Sequence, residues 1–276
     1  MPLVTMKSLL TRAQRLNIAV GAFSVGNMEM VMGAIRASEE TQTPIIIQIA
    51  ESRLATSPLY LMAPLMVTAA DRAKTDICVH LDHGLTLYTV EEALRRGFTS
   101  VMLDESLEPF DDNVASTRLV VSTARQYGAS VEAELGVVGG SEGEDREHNI
   151  QCTDPDMASE FCWRTGIDAF AVAIGNSIGR YDTAPELRFD ILERIHRKCT
   201  IPLVLHGGTG TAEEDFRRCI QLGVRKINIA TANYEAVVKA AREGAEQGDD
   251  FYALSHRMTE EVCETVKHFI HVFNME

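Results

Sequence analysis

Val79-His80-Leu81-Asp82-His83-Gly84 is the stretch from which the rest of the chain can be read. An apolar run with the length of a buried strand ends abruptly in a carboxylate, an imidazole and a glycine, which loads polar groups onto the strand's carboxyl end. Leu205-His206-Gly207-Gly208-Thr209-Gly210 ends in the same way. Asp82 offers a carboxylate for proton transfer, and His83 and His206 offer two imidazoles for a metal.

Working outward, short β-branched or apolar runs occupy residues 18–23, 44–49, 76–81, 100–103, 130–135, 169–174, 202–205 and 226–230. Between them, segments such as 28–41, 59–74, 89–97, 111–127, 155–165, 189–198 and 212–223 carry apolar residues at three- and four-residue spacing, as amphipathic helices do. Strand followed by helix, eight times over, predicts a parallel (β/α)8 TIM barrel in the α/β class. A doubly wound open sheet fits the same alternation, but no GxGxxG follows the first strand. No Pro/Ser-rich linker divides the chain, so residues 1–276 read as a single domain.

With 45% hydrophobic residues and mean hydropathy near zero, the composition is that of a soluble globular protein. A net charge of −14, from 26 Lys+Arg against 40 Asp+Glu, excludes the basic surface that nucleic acid or an anionic membrane requires. No apolar stretch approaches the roughly 20 residues that span a bilayer. Six scattered cysteines without a CxxC pair read as reduced thiols, and the N-terminus has no signal-peptide pattern. Together these features place the protein in the cytoplasm.

If the eight runs close into a barrel, the polar residues that follow them meet at one mouth. These are Asp82 and His83, Asp104, Glu132 and Glu134, residues 175–179, His206, and residues 228–231. Convergence carries the argument, since a lone histidine at a strand end is more often a hydrogen-bonded core residue. Gly207, Gly208 and Thr209 let backbone N–H groups approach a phosphate, and Thr231 lies after strand eight, where barrels commonly bind phosphate. The glycine-rich, acidic stretch 136–153 is long for a compact barrel and reads as a mobile lid or a surface excursion. His148, His196, His256, His268 and His271 read as surface residues, and Lys226, at the start of strand eight, as lying near the opposite face.

These residues resemble the class II, zinc-dependent ketose-bisphosphate aldolases of the fructose- and tagatose-bisphosphate type. Ala22-Phe23-Ser24-Val25-Gly26-Asn27, Leu81-Asp82-His83-Gly84, Glu132-Ala133-Glu134-Leu135-Gly136, Ala171-Val172-Ala173-Ile174-Gly175, Leu205-His206-Gly207-Gly208 and Lys226-Ile227-Asn228-Ile229-Ala230-Thr231 follow family order and spacing. The resemblance implies reversible retro-aldol cleavage of a ketose (bis)phosphate to dihydroxyacetone phosphate and an aldehyde. It assigns Asp82 and Glu142 to catalysis, and Gly179, Gly207, Gly208, Thr209, Asn228, Ile229, Ala230 and Thr231 to the phosphorylated sugar. It further implies Zn2+ on His83, His206 and Glu134, a monovalent cation as a second candidate, Asp104 beneath the metal, and a homodimer or homotetramer. Schiff-base chemistry would need a lysine at the mouth, which this reading does not find.

At one position the resemblance breaks. The family's second metal-binding histidine falls on Ile178, within Gly175-Asn176-Ser177-Ile178-Gly179. Three readings follow: a carboxylate such as Glu134 completes the metal site; the metal is lost and the protein is a weak or inactive phospho-sugar-binding paralogue; or catalysis persists without zinc, with Arg180 supplying charge. Ser24, Ala50 and Glu51 also depart from the family pattern, and a carboxylate at Glu51 would repel a phosphate if it faced the mouth.

Overall fold

In a computed structural model, described for residues 2–139, 150–177, 179 and 186–276, eight parallel strands close into a barrel in sequence order. They are β1 (Val20–Ser24), β2 (Ile45–Ala50), β3 (Ile77–Gly84), β4 (Ser100–Leu103), β5 (Ser130–Leu135), β6 (Ala169–Val172), β7 (Leu203–Leu205) and β8 (Val224–Ile229). The seam closes where Ala22 pairs with Asn228 and Val20 with Lys226.

Each crossover is helical: α2 (Met28–Thr41), α3 (Leu59–Arg72), α4 (Leu87–Arg95), α5 (Phe110–Gln126), α6 (Pro155–Thr165), α7 (Phe189–Lys198), α8 (Glu213–Gln221) and α9 (Thr231–Gln247), with α10 (Phe251–Phe273) closing the outer ring. The boundaries have local causes. Asn27 caps α2 through its side chain and Gln42 ends it in the left-handed conformation. Asp154 and Pro155 start α6 and Gly166 stops it.

The core has two compartments. Outward-facing strand residues such as Phe23, Ile47, Val79, Phe170, Ile227 and Ile229 pack against the helices. Inside the barrel, Val20, Ala22, Ile46, Cys78, Ala169, Ala171 and Val204 form a second cluster with Met6, Leu9, Leu10 and Ala13. The latter four belong to α1 (Met6–Leu16), an amphipathic helix that the strand–helix alternation does not reveal, which plugs the amino-terminal end of the barrel. Lys7 N donates to Ser130 Oγ at 3.0 Å, and Lys7 Nζ pairs with Asp168 at 3.0 Å, anchoring the plug to the rim.

The apolar plug fills the lower barrel, so polar side chains are confined to the layers above it. There Gln48, His80, Ser100, Glu132 and Lys226 are wholly buried. This corrects the expectation for Lys226: it starts low on β8, but its side chain lies inside the barrel with its Nζ on Asn228, below the mouth.

Leu10 is fully buried in the plug. Truncation by Leu10→Ala removes packing on all sides and is expected to lower unfolding free energy by about 2–5 kcal/mol. A urea or thermal unfolding curve checks this, and an unchanged midpoint would show that the plug contributes nothing.

Candidate active site

In an ordinary strand, successive side chains face opposite sides. β3 breaks that rule at its carboxyl end: pairing with β4 slips between Leu81 and Gly84, and His83 adopts a left-handed backbone with φ 39°. The bulge lets Asp82 and His83, adjacent in sequence, both enter the mouth. Gly84 has to follow, because a Cβ there would lie 2.5 Å from the Met102 carbonyl oxygen.

Glu51 holds the next turn. Its carboxylate accepts from the backbone N–H groups of Leu85 and Thr86 and from the hydroxyls of Thr86 and Thr89, the last at 2.7 Å. Glu51 is thus committed to the loop after the bulge, and the argument that it would repel a phosphate at the mouth falls away.

Asp82 is buried, and each of its oxygens receives an amide N–H: Gln48 Nε2 donates to Oδ2 at 2.7 Å and Asn228 Nδ2 to Oδ1 at 3.1 Å. Burial alone would raise its pKa, but positive charge at His83, Lys226 and His206 holds it below the ordinary carboxylate value. Asp82 therefore sits ionised in a cavity that it shares with His83 and His206, with one donor on each oxygen.

The two imidazoles meet edge to face with centroids 4.6 Å apart. His83 Nδ1 lies 2.7 Å from Asp104 Oδ2, which leaves Nε2 as its free nitrogen. His206 Nε2 lies 2.7 Å from Glu132 Oε1, and its Nδ1 lies 3.1 Å from Glu134 Oε2. Both atoms are buried and face each other, and among the described residues neither has a further partner. Donors bonded at ~2.0–2.2 Å to one tetrahedral ion stand about 3.3 Å apart, close to this spacing. Asp82, His83 and His206 also offer ligand atoms that all lie within 4.8 Å of one another.

Electrostatics point the same way. Burial opposes charging of His83, yet Asp82, Asp104 and Glu134 raise its pKa well above the ordinary imidazole value. Burial and His83 push His206 down, but Glu132 and Glu134 bring it up to about 9. Carboxylates that draw protons onto two imidazoles also favour a cation between them.

Gly179, Gly207, Gly208, Thr209, Asn228, Ala230 and Thr231 line the same cavity as Asp82, His83 and His206. Gly208 fits because its N–H donates to the Asn228 carbonyl at 3.1 Å, and a Cβ would meet that oxygen at 2.9 Å. Thr209 Oγ1 accepts from Ala232 N–H at 3.2 Å, which draws the glycine loop onto the first turn of α9. That turn carries no acidic residue, whereas the first turn of α8 carries Glu213, Glu214 and Asp215, so the anion-attracting helix end is that of α9. Ile229 turns its side chain into the outer core.

Glu142, His148, Ile178 and Arg180 lie outside the described residues. The base of the long stretch is described: Val137 and Gln151 pair as an antiparallel bridge, and Gly139 N–H donates to the Asn176 carbonyl at 3.2 Å. Asn176 is fully buried and staples the β6 loop to the site, its Nδ2 donating to the His206 carbonyl at 3.0 Å. Three contributors escaped the sequence reading, His80, Gln48 and the interior position of Lys226, whereas Asn176 falls in the mouth segment 175–179. His80 Nδ1 lies 2.8 Å from Ser100 Oγ, and burial together with Lys226 lowers its pKa to about 4, so it serves as a neutral interior group. Alternation within β2 and β3 was the available signal, since Gln48 and His80 fall on the inward face with Ala50 and Asp82. His196, His256, His268 and His271 are exposed, as expected.

Comparison with known proteins gives a consistent picture. The family model described as fructose-bisphosphate aldolase class-II matches residues 4–276. A fructose-bisphosphate aldolase of Staphylococcus aureus (strain Mu50) is 38% identical over 273 residues, covering 97% of this chain and 96% of its own. One from Geobacillus stearothermophilus is 40% identical over 246 residues, covering 88% and 86%. The crystal structure of the YdjI aldolase from Escherichia coli K12 superposes with a TM-score of 0.88 at 33% identity, covering 98% of this chain and 97% of that one.

Because Glu51 ties down the turn that follows a strained bulge, Glu51→Ala is expected to destabilise the fold by about 1–3 kcal/mol, the range for losing hydrogen bonds to a charged acceptor. Denaturant unfolding measures the loss, and a change below about 0.5 kcal/mol would show that the turn holds without it.

Proposed function

The chain belongs to the class II fructose-bisphosphate aldolase family, and on that premise we propose that its barrel mouth cleaves a ketose (bis)phosphate reversibly into dihydroxyacetone phosphate and an aldehyde. The observation that carries the proposal is the pairing, in one cavity, of an ionised carboxylate with an amide on each oxygen and two imidazoles backed by carboxylates. The activity type is that of an aldehyde-lyase. A metal-depleted sugar-binding paralogue has less support, since the relatives that this chain matches over nearly its whole length are fructose-bisphosphate aldolases.

His83 and His206, with Glu134 beside His206 Nδ1, would hold Zn2+, a donor set zinc accepts, and Asp82 is the third residue whose ligand atom lies within 4.8 Å of those of both imidazoles. When bound, the ion supplies positive charge to the substrate's C2 oxygen. In the cleavage direction Asp82 takes the proton of the C4 hydroxyl and the C3–C4 bond breaks. Its electrons pass toward C2, giving the enediolate of dihydroxyacetone phosphate and releasing the aldehyde. Glu142, the family acid on the long loop, exchanges the proton on the three-carbon product. Gly179, Gly207 to Thr209 and the backbone from Asn228 to Thr231 hold the phosphate, helped by the first-turn N–H groups of α9. The buried Lys226, whose Nζ is taken by Glu132 and Asn228, offers no free amine to a carbonyl, which disfavours the Schiff-base route.

With Glu51 occupied elsewhere, nothing at that position disfavours a bisphosphate, and fructose 1,6-bisphosphate is the first substrate to test. The activity is carried by one domain spanning residues 1–276, in a cytoplasmic homo-oligomer that keeps its cysteines reduced, as the six free thiols suggest.

Purified protein is expected to contain a divalent metal and to release dihydroxyacetone phosphate from fructose 1,6-bisphosphate, with a chelator abolishing the rate and Zn2+ restoring it. Asp82→Asn should lower kcat by about 10²–10⁴ without loss of the metal. Absence of cleavage of any ketose phosphate in the zinc-supplemented protein would overturn the reading. Metal content of Ile178→His, measured beside the native chain, reports whether that position limits the ion.

A further inference from the structure

Below the mouth, Lys226 stands at a junction. Its side chain is wholly buried, its Nζ donates to Asn228 Oδ1 at 2.7 Å, and it pairs with Glu132 Oε2 at 2.8 Å. Each acceptor continues upward: Asn228 Nδ2 donates to Asp82 Oδ1 at 3.1 Å, and Glu132 Oε1 lies 2.7 Å from His206 Nε2.

Both arms depend on the polarity that Lys226 imposes. An asparagine amide has an accepting end and a donating end. With Oδ1 held by Lys226, the donating end of Asn228 is the one turned to Asp82. Reversed, the amide would set a carbonyl against the carboxylate. On the other arm, Lys226 holds Glu132 Oε2, and Oε1 is left to accept from His206 Nε2. A histidine that gives its Nε2 proton to a carboxylate presents Nδ1 as the lone-pair nitrogen, here beside Glu134.

We propose that Lys226 is the positioning residue of this site, a single buried cation that sets both the amide orientation at the base Asp82 and the ligating nitrogen of His206. The inference rests on the aldolase reading given above and adds a residue to it. Stability alone is a poor reason for such a group, because a buried ion pair is often no better than a well-packed apolar pair. A residue whose two partners both lead to reacting groups has a functional reason to be charged. Lys226 does not touch substrate, since Glu132 and Asn228 lie between it and the cavity.

The test uses the full-length protein, with Co2+ alone as the metal probe, its visible spectrum and affinity read beside kcat, KM and the melting temperature. Lys226→Met, folded, is expected to bind Co2+ about 10–100-fold more weakly with an altered spectrum, and to lose kcat by about 10²-fold or more with KM nearly unchanged. Lys226→Gln, which keeps one donor, should recover part of both losses. Should Lys226→Met fail to fold with Glu132 unpaired, the uncharged pair Lys226→Met/Glu132→Gln is compared with Glu132→Gln alone, and the same losses are expected relative to that parent. A folded variant whose Co2+ affinity and kcat stay within about threefold of its parent overturns the role of Lys226 while leaving the aldolase reading intact. Native protein that neither binds Co2+ nor cleaves a ketose phosphate overturns the aldolase reading, and the positioning role with it.

Discussion

The site depends on one broken alternation. Regular β3 would give either Asp82 or His83 to the barrel mouth and hide the other among the helices. The slip against β4 and the left-handed backbone at His83 admit both. A non-glycine residue in that conformation is strained, and such strain persists only where the surroundings over-determine it. Here Gly84 passes close under the Met102 carbonyl, Glu51 clamps Leu85 and Thr86, and Asp104 fixes the His83 ring. Each constraint acts within a few residues of the bulge, and together they bring a base and an imidazole to neighbouring positions that no regular strand could supply.

A second constraint is the division of the barrel interior. Asp82, Glu132, Glu134 and Lys226 are charged side chains at or near full burial, which a uniformly apolar barrel could not hold. The α1 plug makes the division workable by filling the lower barrel with Met6, Leu10 and their neighbours, so the buried ionisable groups are gathered above it. Within that level the contacts form a connected set from Gln48 through Asp82, Asn228, Lys226 and Glu132 to His206. A connected set polarises its members and gives each donor one direction, whereas a broken one would leave charges unpaired in a low dielectric.

What could be read from the sequence follows from which interactions are local. Helices 28–41, 155–165 and 189–198 and strands 100–103 and 130–135 coincide with the observed elements, because period and capping residues are encoded within each segment. Eight such repeats were enough to predict the barrel, and strand-end placement was enough to gather Asp82, His83, His206 and the glycine loop. Missing were the relations between distant segments. The α1 plug has an ordinary amphipathic pattern, and nothing in its sequence says that the partner is the barrel's lower mouth. Lys226 reads as remote because strand position does not disclose side-chain reach, and a lysine extends far enough to carry its Nζ up to Asn228. The direction of Glu51 is not legible locally because its partners, Leu85, Thr86 and Thr89, lie more than thirty residues away.

Ile178 falls where the family resemblance places a metal-binding histidine, and under the proposed metal site that position bears on how the remaining groups would share the work. With the carboxylate of Glu134 in place of a neutral imidazole, a negative charge would stand beside the proposed cation, strengthening attraction for the ion and reducing the positive charge that it presents to substrate. In the proposed reaction, cleavage would then lean more heavily on Asp82. A base is most effective when its proton-accepting lone pairs are aimed and its charge is left undiluted. Gln48 and Asn228 aim the carboxylate with one neutral amide each, and neutral donors orient it while leaving the full negative charge in place. Under the proposed mechanism, the compensation for a weaker electrophile would lie on the other side of the cavity, in the amides that hold Asp82.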